Sequence, residues 1–179
     1  MANEVYEPRE DSFLLEKYVR KFARGSVLDI GTGSGIQAKA ASERAISVIG
    51  VDINQKAIDF CNKNIKSDKI TFLKSDLFSI FKNKKFDTII FNPPYLPEDR
   101  IKDIALDGGK RGYELIERFL RDAKEFLAND GLILFVFSSL TDKSIIDELI
   151  KKYGFIFEEL ERIHISFEDI YCYKIIWKH

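Results

Sequence analysis

The sequence predicts an α/β protein built on a doubly wound, mostly parallel sheet of about seven strands. Short β-branched, apolar segments alternate with segments whose apolar residues recur at helical spacing, as in parallel strands joined by helices. The first strand runs into a glycine-rich turn that opens a helix. The last two strand segments have no helix between them, so we expect a hairpin that brings one antiparallel strand into the sheet.

Each element follows from its own local pattern. The β-branched and apolar segments that predict strands are 26–30, 46–53, 70–73, 86–91, 132–137, 155–163 and 169–177. Alanine-rich or amphipathic stripes predict helices at 36–45, 54–65, 116–127 and 141–153. Asn54 suits the N-cap of the second helix, and Gly154 suits the end of the last one. A turn is predicted at 129–131, and irregular structure from 96 to about 110.

Composition favours one globular domain, residues 1–179, in the cytoplasm. The 179 residues are 45% hydrophobic and 32% charged, which suffices for a full core. The net charge of −1 provides no field for polyanions, which argues against direct nucleic-acid binding. Two distant cysteines and two histidines argue against a disulfide framework and a metal site. The polar N-terminus does not resemble a signal peptide, and no apolar run approaches a membrane span.

A glycine-rich loop, DIGTGSG at 29–35, follows the first predicted strand. Gly31 and Gly33 allow positive φ and a close approach of the backbone to a ligand. The fingerprint G-x-G-x-x-G does not fit, and Asp29 would oppose a pyrophosphate but attract an ammonium group. Asp52, at the end of the second strand, stands where an acid binds ribose hydroxyls. These features favour S-adenosylmethionine over NAD as cofactor, and a purely structural tight turn is the alternative.

A third acidic residue, Asp76, comes directly after the third strand and is followed by Leu77. Asp76 is placed to accept a hydrogen bond from an adenine amino group, while Leu77 flanks the ring. The alternative reading of Asp76 is an ordinary turn or cap residue.

The tetrapeptide Asn92-Pro93-Pro94-Tyr95 ends the fourth strand and suits chemistry on an NH₂ group. The lone pair of an amide or aromatic amine is delocalised, so the nitrogen is a poor nucleophile. The Asn92 side-chain oxygen and the Pro93 carbonyl can accept its two protons, which favours a more tetrahedral nitrogen. Pro94 stiffens the segment, and Tyr95 can cover the planar group. The alternative is an ordinary proline-rich strand exit.

Together, 29–35 and 92–95 resemble the HemK family of protein glutamine methyltransferases. The segment VYEPREDSFLL at 5–15 is similar to the N-terminal signature of its short branch, found in archaea and eukaryotes, and ALDGGKRG at 105–112 resembles the segment after the catalytic loop. The resemblance covers nearly the whole chain and implies a Rossmann-like class I methyltransferase sheet. We expect no counterpart of the separate N-terminal helical domain that the bacterial members carry, since the resemblance does not include it.

The resemblance implies N5-methylation of the glutamine in the Gly-Gly-Gln motif of a class-1 peptide release factor. It also implies that Asn92 reaches both cofactor and substrate, and that further cofactor contacts come from Ser12, Asp29, Gly31, Asp52, Asp76 and Leu77. Ser12 stands where a threonine is usual, and the hydroxyl group is kept. Short-branch members work with a small, often zinc-binding activator protein that adds a strand at the edge of the sheet. We expect such a partner at the third strand, which is short, apolar and β-prone.

Three other functions remain open at this point. Methyltransferases that act on adenine or guanine amino groups use the same tetrapeptide, but this chain has no basic stripe for phosphates and no length left for a target-recognition domain. A protein lysine substrate would need a neutral amine, and no residue is committed to deprotonating one. A non-catalytic scaffold with a cofactor fold is the remaining alternative.

Overall fold

A seven-stranded sheet forms the centre of the computed structural model, which describes residues 5–94 and 113–178. Its strands are β1 Ser26–Ile30, β2 Ser47–Asp52, β3 Ile70–Lys74, β4 Phe86–Phe91, β5 Leu127–Ser138, β6 Phe155–Ile165 and β7 Glu168–Trp177. They lie in the order β3-β2-β1-β4-β5-β7-β6. Of the described strands, β7 alone runs in the direction opposite to the other six, which confirms the predicted fold class. The irregular stretch expected from 96 to about 110 lies outside the described residues.

Helices cover both faces of the sheet. They are α1 Glu10–Phe22, α2 Ile36–Ser42, α3 Gln55–Asn64, α4 Glu114–Phe126 and α5 Lys143–Lys152. One apolar core joins α1, α2 and α3 to the sheet, through residues such as Leu15, Ala41 and Cys61. The other core joins α4 and α5 to the opposite face, through residues such as Phe119 and Ile150. Because side chains alternate along a strand, the inner strands contribute to both cores.

The sequence analysis did not predict α1. Its signal is an apolar pair repeated one helical turn later, all four residues being buried: Leu14, Leu15, Tyr18 and Val19. The acidic residues Glu10 and Asp11 stand in its first turn, where the helix dipole favours negative charge. This helix packs on the sheet beside α2 and brings the start of the described chain to the strand ends.

The prediction of a turn at 129–131 is wrong, because β5 continues through these residues. On β4, Phe86 and Thr88 pair with Leu127 and Leu132, so the register shifts at this point. An irregularity of this kind lets extra residues leave the ladder without ending the strand. The turn-forming residues therefore produce a bulge instead of a separate loop.

Two predicted helix ends are confirmed. The Asn54 side chain accepts a hydrogen bond from the Lys56 amide at 3.0 Å, which caps α3. After α5, Gly154 adopts φ +83° and its amide donates to the Lys151 carbonyl at 3.0 Å. The helix itself begins at Lys143, slightly later than the stripe indicated.

No helix in the described part of the chain is both long enough and apolar enough to cross a membrane. Within residues 5–94 and 113–178, no group of three or more His, Cys, Asp or Glu side chains is arranged to hold a metal ion.

Two glycines with positive φ predict different costs for an added methyl group. At Gly35 a Cβ would collide with Ile65 Cδ1 and lie 3.0 Å from Cys61 Sγ, whereas at Gly154 it would meet no described residue within 4 Å. We expect Gly154→Ala to lower the free energy of unfolding by about 1–2 kcal/mol through backbone strain alone. Gly35→Ala should cost about 1–3 kcal/mol more because of overpacking. Urea unfolding of both variants measures the difference, and equal costs would show that the loop does not need this close approach.

Candidate active site

The candidate site lies at the carboxyl edge of the sheet, where β1, β2 and β4 end together. In the parallel ladders Ile30 pairs with both Val51 and Phe91, the residues that precede Asp52 and Asn92. From β1 the chain runs outward through β2 and β3 and then crosses back to β4 on the other side of β1, so the strand order reverses between β1 and β4 and this edge is the topological switch point. Ligands of doubly wound folds bind at such a point.

The glycine-rich loop forms an open cradle at this edge. Gly31 has φ +66° and Gly33 has φ +51°, conformations that favour glycine. Among the described residues, a Cβ at Gly31 would have only Asn92 O within 4 Å, at 3.9 Å, and one at Gly33 would meet only Gly31 O and Tyr6 Cβ, also at 3.9 Å. These residues therefore leave room for a ligand close to the backbone at both glycines.

Asp29 is buried beneath this loop. Its Oδ2 accepts hydrogen bonds from Thr32 Oγ1 at 2.6 Å and from the Ala38 amide at 3.1 Å. Its Oδ1 has no hydrogen-bond partner among the residues that the structure describes. Burial raises the pKa of the Asp29 carboxyl to about 7, against the smaller effect of its two donors. Asp29 therefore has one oxygen that fixes the loop and one that remains available.

Asp52 fixes the same loop from the end of β2. Its Oδ2 accepts from the Gly33 amide at 3.0 Å, and its Oδ1 accepts from the Asn54 amide at 2.8 Å. Burial raises the pKa of this carboxyl also, although the backbone donors oppose the shift. Asp52 is partly exposed beside the cradle, and its contact with ribose hydroxyls stays a prediction.

Asp76 and Leu77 follow β3 in a constrained turn. Leu77 has φ +48°, a conformation that is uncommon for a branched side chain, and Ser75 Oγ donates to the Leu77 carbonyl at 2.9 Å. Asp76 pairs with Arg118 of α4 at 2.8 Å, both side chains being nearly half exposed. Strained turns of this kind occur where ligands bind, and this one lies next to Asp52, because the Ser75 amide donates to the Asp52 carbonyl at 3.0 Å.

Asn92 leaves β4 half-buried, with one end of its amide fixed. Its Nδ2 donates to Asp11 Oδ2 at 3.0 Å and to Ser12 Oγ at 3.4 Å. Its Oδ1 has no partner within the described ranges. Pro93 is buried and Pro94 is partly buried, while Tyr95 lies outside the described residues.

The structure thus gathers most of the predicted site residues at one edge. Ser12, Asp29, Gly31, Gly33, Asp52 and Asn92 surround the cradle, with Asp76 and Leu77 at the next strand end. Residues that the sequence analysis missed join them: Tyr6, Asp11, Thr32, Ser75 and Arg118. Thr32 and Ser75 had a local signal, since each neighbours a predicted site residue. Arg118 had none, because α4 approaches β3 only in the folded chain.

Comparison with known proteins identifies the family. Residues 10–161 match the family model described as the methyltransferase small domain. A protein of Methanocaldococcus jannaschii, provisionally named protein N5-glutamine methyltransferase, is 40% identical over 177 residues, which cover 93% of this chain and 89% of that protein. The chain belongs to the methyltransferase small domain family. The expected kinship with protein glutamine methyltransferases is confirmed.

Two further relatives extend this comparison. This chain is 33% identical over 175 residues to a release factor glutamine methyltransferase of Buchnera aphidicola. The match covers 87% of this chain but only 62% of that longer protein. A chain of the E. cuniculi Mtq2–Trm112 complex, described as responsible for methylation of the eRF1 translation termination factor, superposes with a TM-score of 0.80. The two chains are 24% identical, and the superposition covers 97% of this chain and 98% of the E. cuniculi chain. This likeness demonstrates a shared fold.

S-adenosylmethionine is the cofactor of the methyltransferase, and the geometry of the cradle fits it. The cofactor carries an ammonium and a sulfonium and no phosphate, and in the described part of the chain the side chains that hold the glycine-rich loop include the carboxylates of Asp29 and Asp52. A cation near Asp29 would offset the burial that raises the pKa of this carboxyl. The individual contacts predicted for Ser12, Asp29, Gly31, Gly33, Asp52, Asp76, Leu77 and Asn92 stay predictions.

The raised pKa of Asp29 predicts a pH-dependent affinity for the cofactor. The ammonium binds the ionised carboxyl, so protonation below the pKa of about 7 opposes binding. We expect binding at pH 5.5 to be about ten-fold weaker than at pH 7, a range in which the cofactor's ammonium stays protonated. Binding near pH 7 should also release a proton, and Asp29→Asn should remove most of both effects. Calorimetry in two buffers of different ionisation enthalpy measures them, and a flat profile in the unmodified protein would contradict the assigned contact.

The raised pKa of Asp29 also determines whether its contribution to folding stability increases or decreases with pH. Because the folded-state pKa lies above the unfolded value of 3.8, the Asp29 contribution to stability decreases as pH rises from about 4 to 7. Cofactor binding should offset this loss at neutral pH.

Proposed function

We propose that this methyltransferase methylates N5 of the glutamine in the Gly-Gly-Gln motif of a class-1 peptide release factor. The observation that carries the proposal is the Asn92 amide beside the cofactor cradle, with its Nδ2 occupied and its Oδ1 available. The names of the M. jannaschii and B. aphidicola relatives, and the activity described for the Mtq2–Trm112 complex, support a glutamine side chain and a release factor as substrate.

The proposed chemistry begins by making an amide nitrogen nucleophilic. Asn92 Oδ1 and the Pro93 carbonyl accept the two N–H groups of the glutamine, which draws its nitrogen toward tetrahedral geometry and frees the lone pair. S-adenosylmethionine, when bound, supplies an electrophilic methyl group on a positively charged sulfur. The nitrogen lone pair forms the new bond to carbon, and the carbon–sulfur bond pair leaves with the sulfur. The methylated nitrogen then loses one proton to water, which restores a neutral amide, so no strong base is needed beforehand.

The charges around the site favour a protein loop over a nucleic acid. Among the residues that the structure describes, Asp29 and Asp52 place carboxylates at this edge without a basic partner in an ion pair, and Asp11 adds another carboxylate. Asp76 is instead paired with Arg118, and such an edge does not favour a phosphate backbone. Two glycines beside a glutamine form a slender, uncharged loop that can enter such a site. The NH₂ group of a glutamine is also neutral. A protonated lysine would first have to lose a proton before it could accept the methyl group, whereas a glutamine would not.

The direct experiment offers the protein and labelled cofactor to several substrates in parallel. They are a class-1 release factor, the same factor with Gln→Asn in its Gly-Gly-Gln motif, bulk RNA and DNA. We expect methyl transfer to the unmodified release factor alone, with one methyl group on the motif glutamine by mass spectrometry. Transfer to RNA or DNA, or equal transfer to the Gln→Asn factor, would contradict the proposal.

Removing the Asn92 side chain should affect turnover far more than cofactor binding. Because its oxygen meets the reacting amide, Asn92→Ala should lower kcat on the order of 10²-fold, as for a lost group that stabilises a transition state. Affinity for the cofactor, measured by calorimetry, should change much less. Asn62→Ala, at an exposed asparagine of α3, is the matched control and should behave as the unmodified protein does. Near-normal turnover in Asn92→Ala would refute the role of this side chain.

We further propose that a small activator protein, of the zinc-binding type that the family resemblance implies, adds a strand to the free edge of β3. Within the described ranges this strand pairs with β2 alone, and its Leu73 side chain is exposed. Exposed apolar side chains also follow β2 and β3 along the chain, at Ile53 and Ile80. An unprotected apolar edge of this kind favours association. The partner named for the E. cuniculi complex, Trm112, supports the choice of occupant.

A charge placed on this edge should disrupt the complex. Leu73 is 39% exposed, so Leu73→Lys leaves the core in place but puts a cation in the proposed interface. Ile156→Lys makes the same change at an equally exposed site on β6, the opposite edge of the sheet. We expect Leu73→Lys to lose copurification with the activator and Ile156→Lys to keep it. Equal behaviour of the two variants would place the partner elsewhere.

A further inference from the structure

We infer that Asp11 is a positioning residue that fixes which end of the Asn92 amide faces the substrate. This inference rests on the proposed function, in which the Asn92 oxygen accepts from the reacting NH₂ group. Asp11 is 3% exposed, and its Oδ2 accepts from Asn92 Nδ2 at 3.0 Å. The two residues are 81 positions apart and belong to α1 and to the exit of β4.

The chemistry of the two groups makes this contact selective. An asparagine side chain has an acceptor end and a donor end of nearly the same shape, so it can bind in either of two orientations. An ionised carboxylate only accepts, so the bond is available when Nδ2 of Asn92 faces Asp11. The oxygen of the amide then faces the other way. In the reverse orientation two acceptors would meet, and a donor would face the substrate's own donors.

Groups of Ser12 and Tyr6, besides Asn92, also donate to Asp11. Its Oδ1 accepts from the Ser12 amide at 2.6 Å and from Ser12 Oγ at 3.2 Å, and Tyr6 Oη lies 3.1 Å from both oxygens. Burial, and then the charge of Asp11, raise the pKa of the Tyr6 phenol, so that it stays a donor. Gln37 of α2 donates to the Ser12 carbonyl at 2.8 Å and ties the start of α1 to the helix behind the cradle. These donors hold the Asp11 carboxylate in place, so it stays in front of Asn92 whichever way the Asn92 amide is turned.

A purely structural role for Asp11 predicts different behaviour. Asp11 shares the first turn of α1 with Glu10, where any carboxylate would interact with the helix dipole. Glu10 is exposed, so Glu10→Gln removes an equivalent charge without touching Asn92. Tyr6→Phe removes the link between Asp11 and the segment before α1 but keeps the carboxylate on Asn92. These two variants separate orientation of the amide from helix stability and from tethering.

The decisive variant is Asp11→Asn, which keeps the shape of the side chain. The backbone amide of Ser12 requires an acceptor, so the oxygen of the introduced amide should occupy the place of Oδ1 and its NH₂ group that of Oδ2. A donor would then face Asn92 and favour the reversed orientation. We expect kcat on a release factor to fall on the order of 10²-fold, with unchanged cofactor affinity and nearly unchanged KM for the release factor. Glu10→Gln should keep full activity, and Tyr6→Phe should lose much less than Asp11→Asn.

A second measurement reads the orientation without any turnover. In nitrogen-15 NMR spectra, the Asn92 side-chain NH₂ signal, assigned by its absence in Asn92→Ala, should be shifted downfield and protected from exchange by its bond to the carboxylate. Asp11→Asn should abolish both features, and Glu10→Gln should preserve them. An unprotected Asn92 signal in the unmodified protein would overturn the inference. So would near-normal kcat in Asp11→Asn, or equal losses in Asp11→Asn and Tyr6→Phe.

The two readouts keep this inference separate from the proposed function. If the unmodified protein does not methylate a release factor but its Asn92 signal responds to Asp11→Asn as expected, the positioning role stands and the choice of substrate is wrong. If the protein is active and Asp11→Asn changes neither kcat nor the signal, the substrate stands and the positioning role is wrong.

Discussion

The site depends on one constraint: three neighbouring strands, β1, β2 and β4, end side by side at the same edge of the sheet. Parallel pairing places Ile30 beside Val51 and Phe91, so the glycine-rich loop, Asp52 and Asn92 all start from one line across the sheet. A shift of one residue in either ladder would turn Asp52 or Asn92 to the other face. The register is held by two apolar cores, one on each face, to which these strands contribute alternating side chains. The chemistry therefore depends on packing that takes no part in it.

Buried carboxylates are the second feature that determines the properties of the site. Asp29 and Asp52 hold the loop through backbone and hydroxyl donors, yet burial still raises the pKa of both carboxyls. A site built in this way is incompletely stabilised until a cation enters it, which suits a cofactor with an ammonium and a sulfonium. Asp11 is buried too, and its carboxylate accepts from the donor end of the Asn92 amide. In the proposed mechanism, negative charge therefore serves for cofactor binding at Asp29 and Asp52 and for orientation of the amide at Asp11.

Most of the fold could be predicted from the sequence because its signals are local. The β-branched segments, the glycine-rich loop and the Asn54 cap each depend on neighbouring residues alone, and the structure places them as expected. The bulge in β5 escaped prediction, since turn-forming residues at 129–131 are accommodated by pairing with β4. At the site, Asp29, Asp52 and Asn92 follow strands and could be found by position. Asp11 and Arg118 could not, because each acquires its role from a partner that is distant in sequence.

In the proposed mechanism, Asn92 Oδ1 and the Pro93 carbonyl together hold the NH₂ group of a substrate glutamine. A crystal structure with S-adenosylhomocysteine and a peptide containing Gly-Gly-Gln tests it most directly. We expect the glutamine nitrogen within about 3.2 Å of both oxygens, with Asn92 Nδ2 still on Asp11 and the nitrogen facing the cofactor sulfur. A glutamine nitrogen bound to other groups, or an Asn92 amide turned with its NH₂ group toward the substrate, would contradict the account.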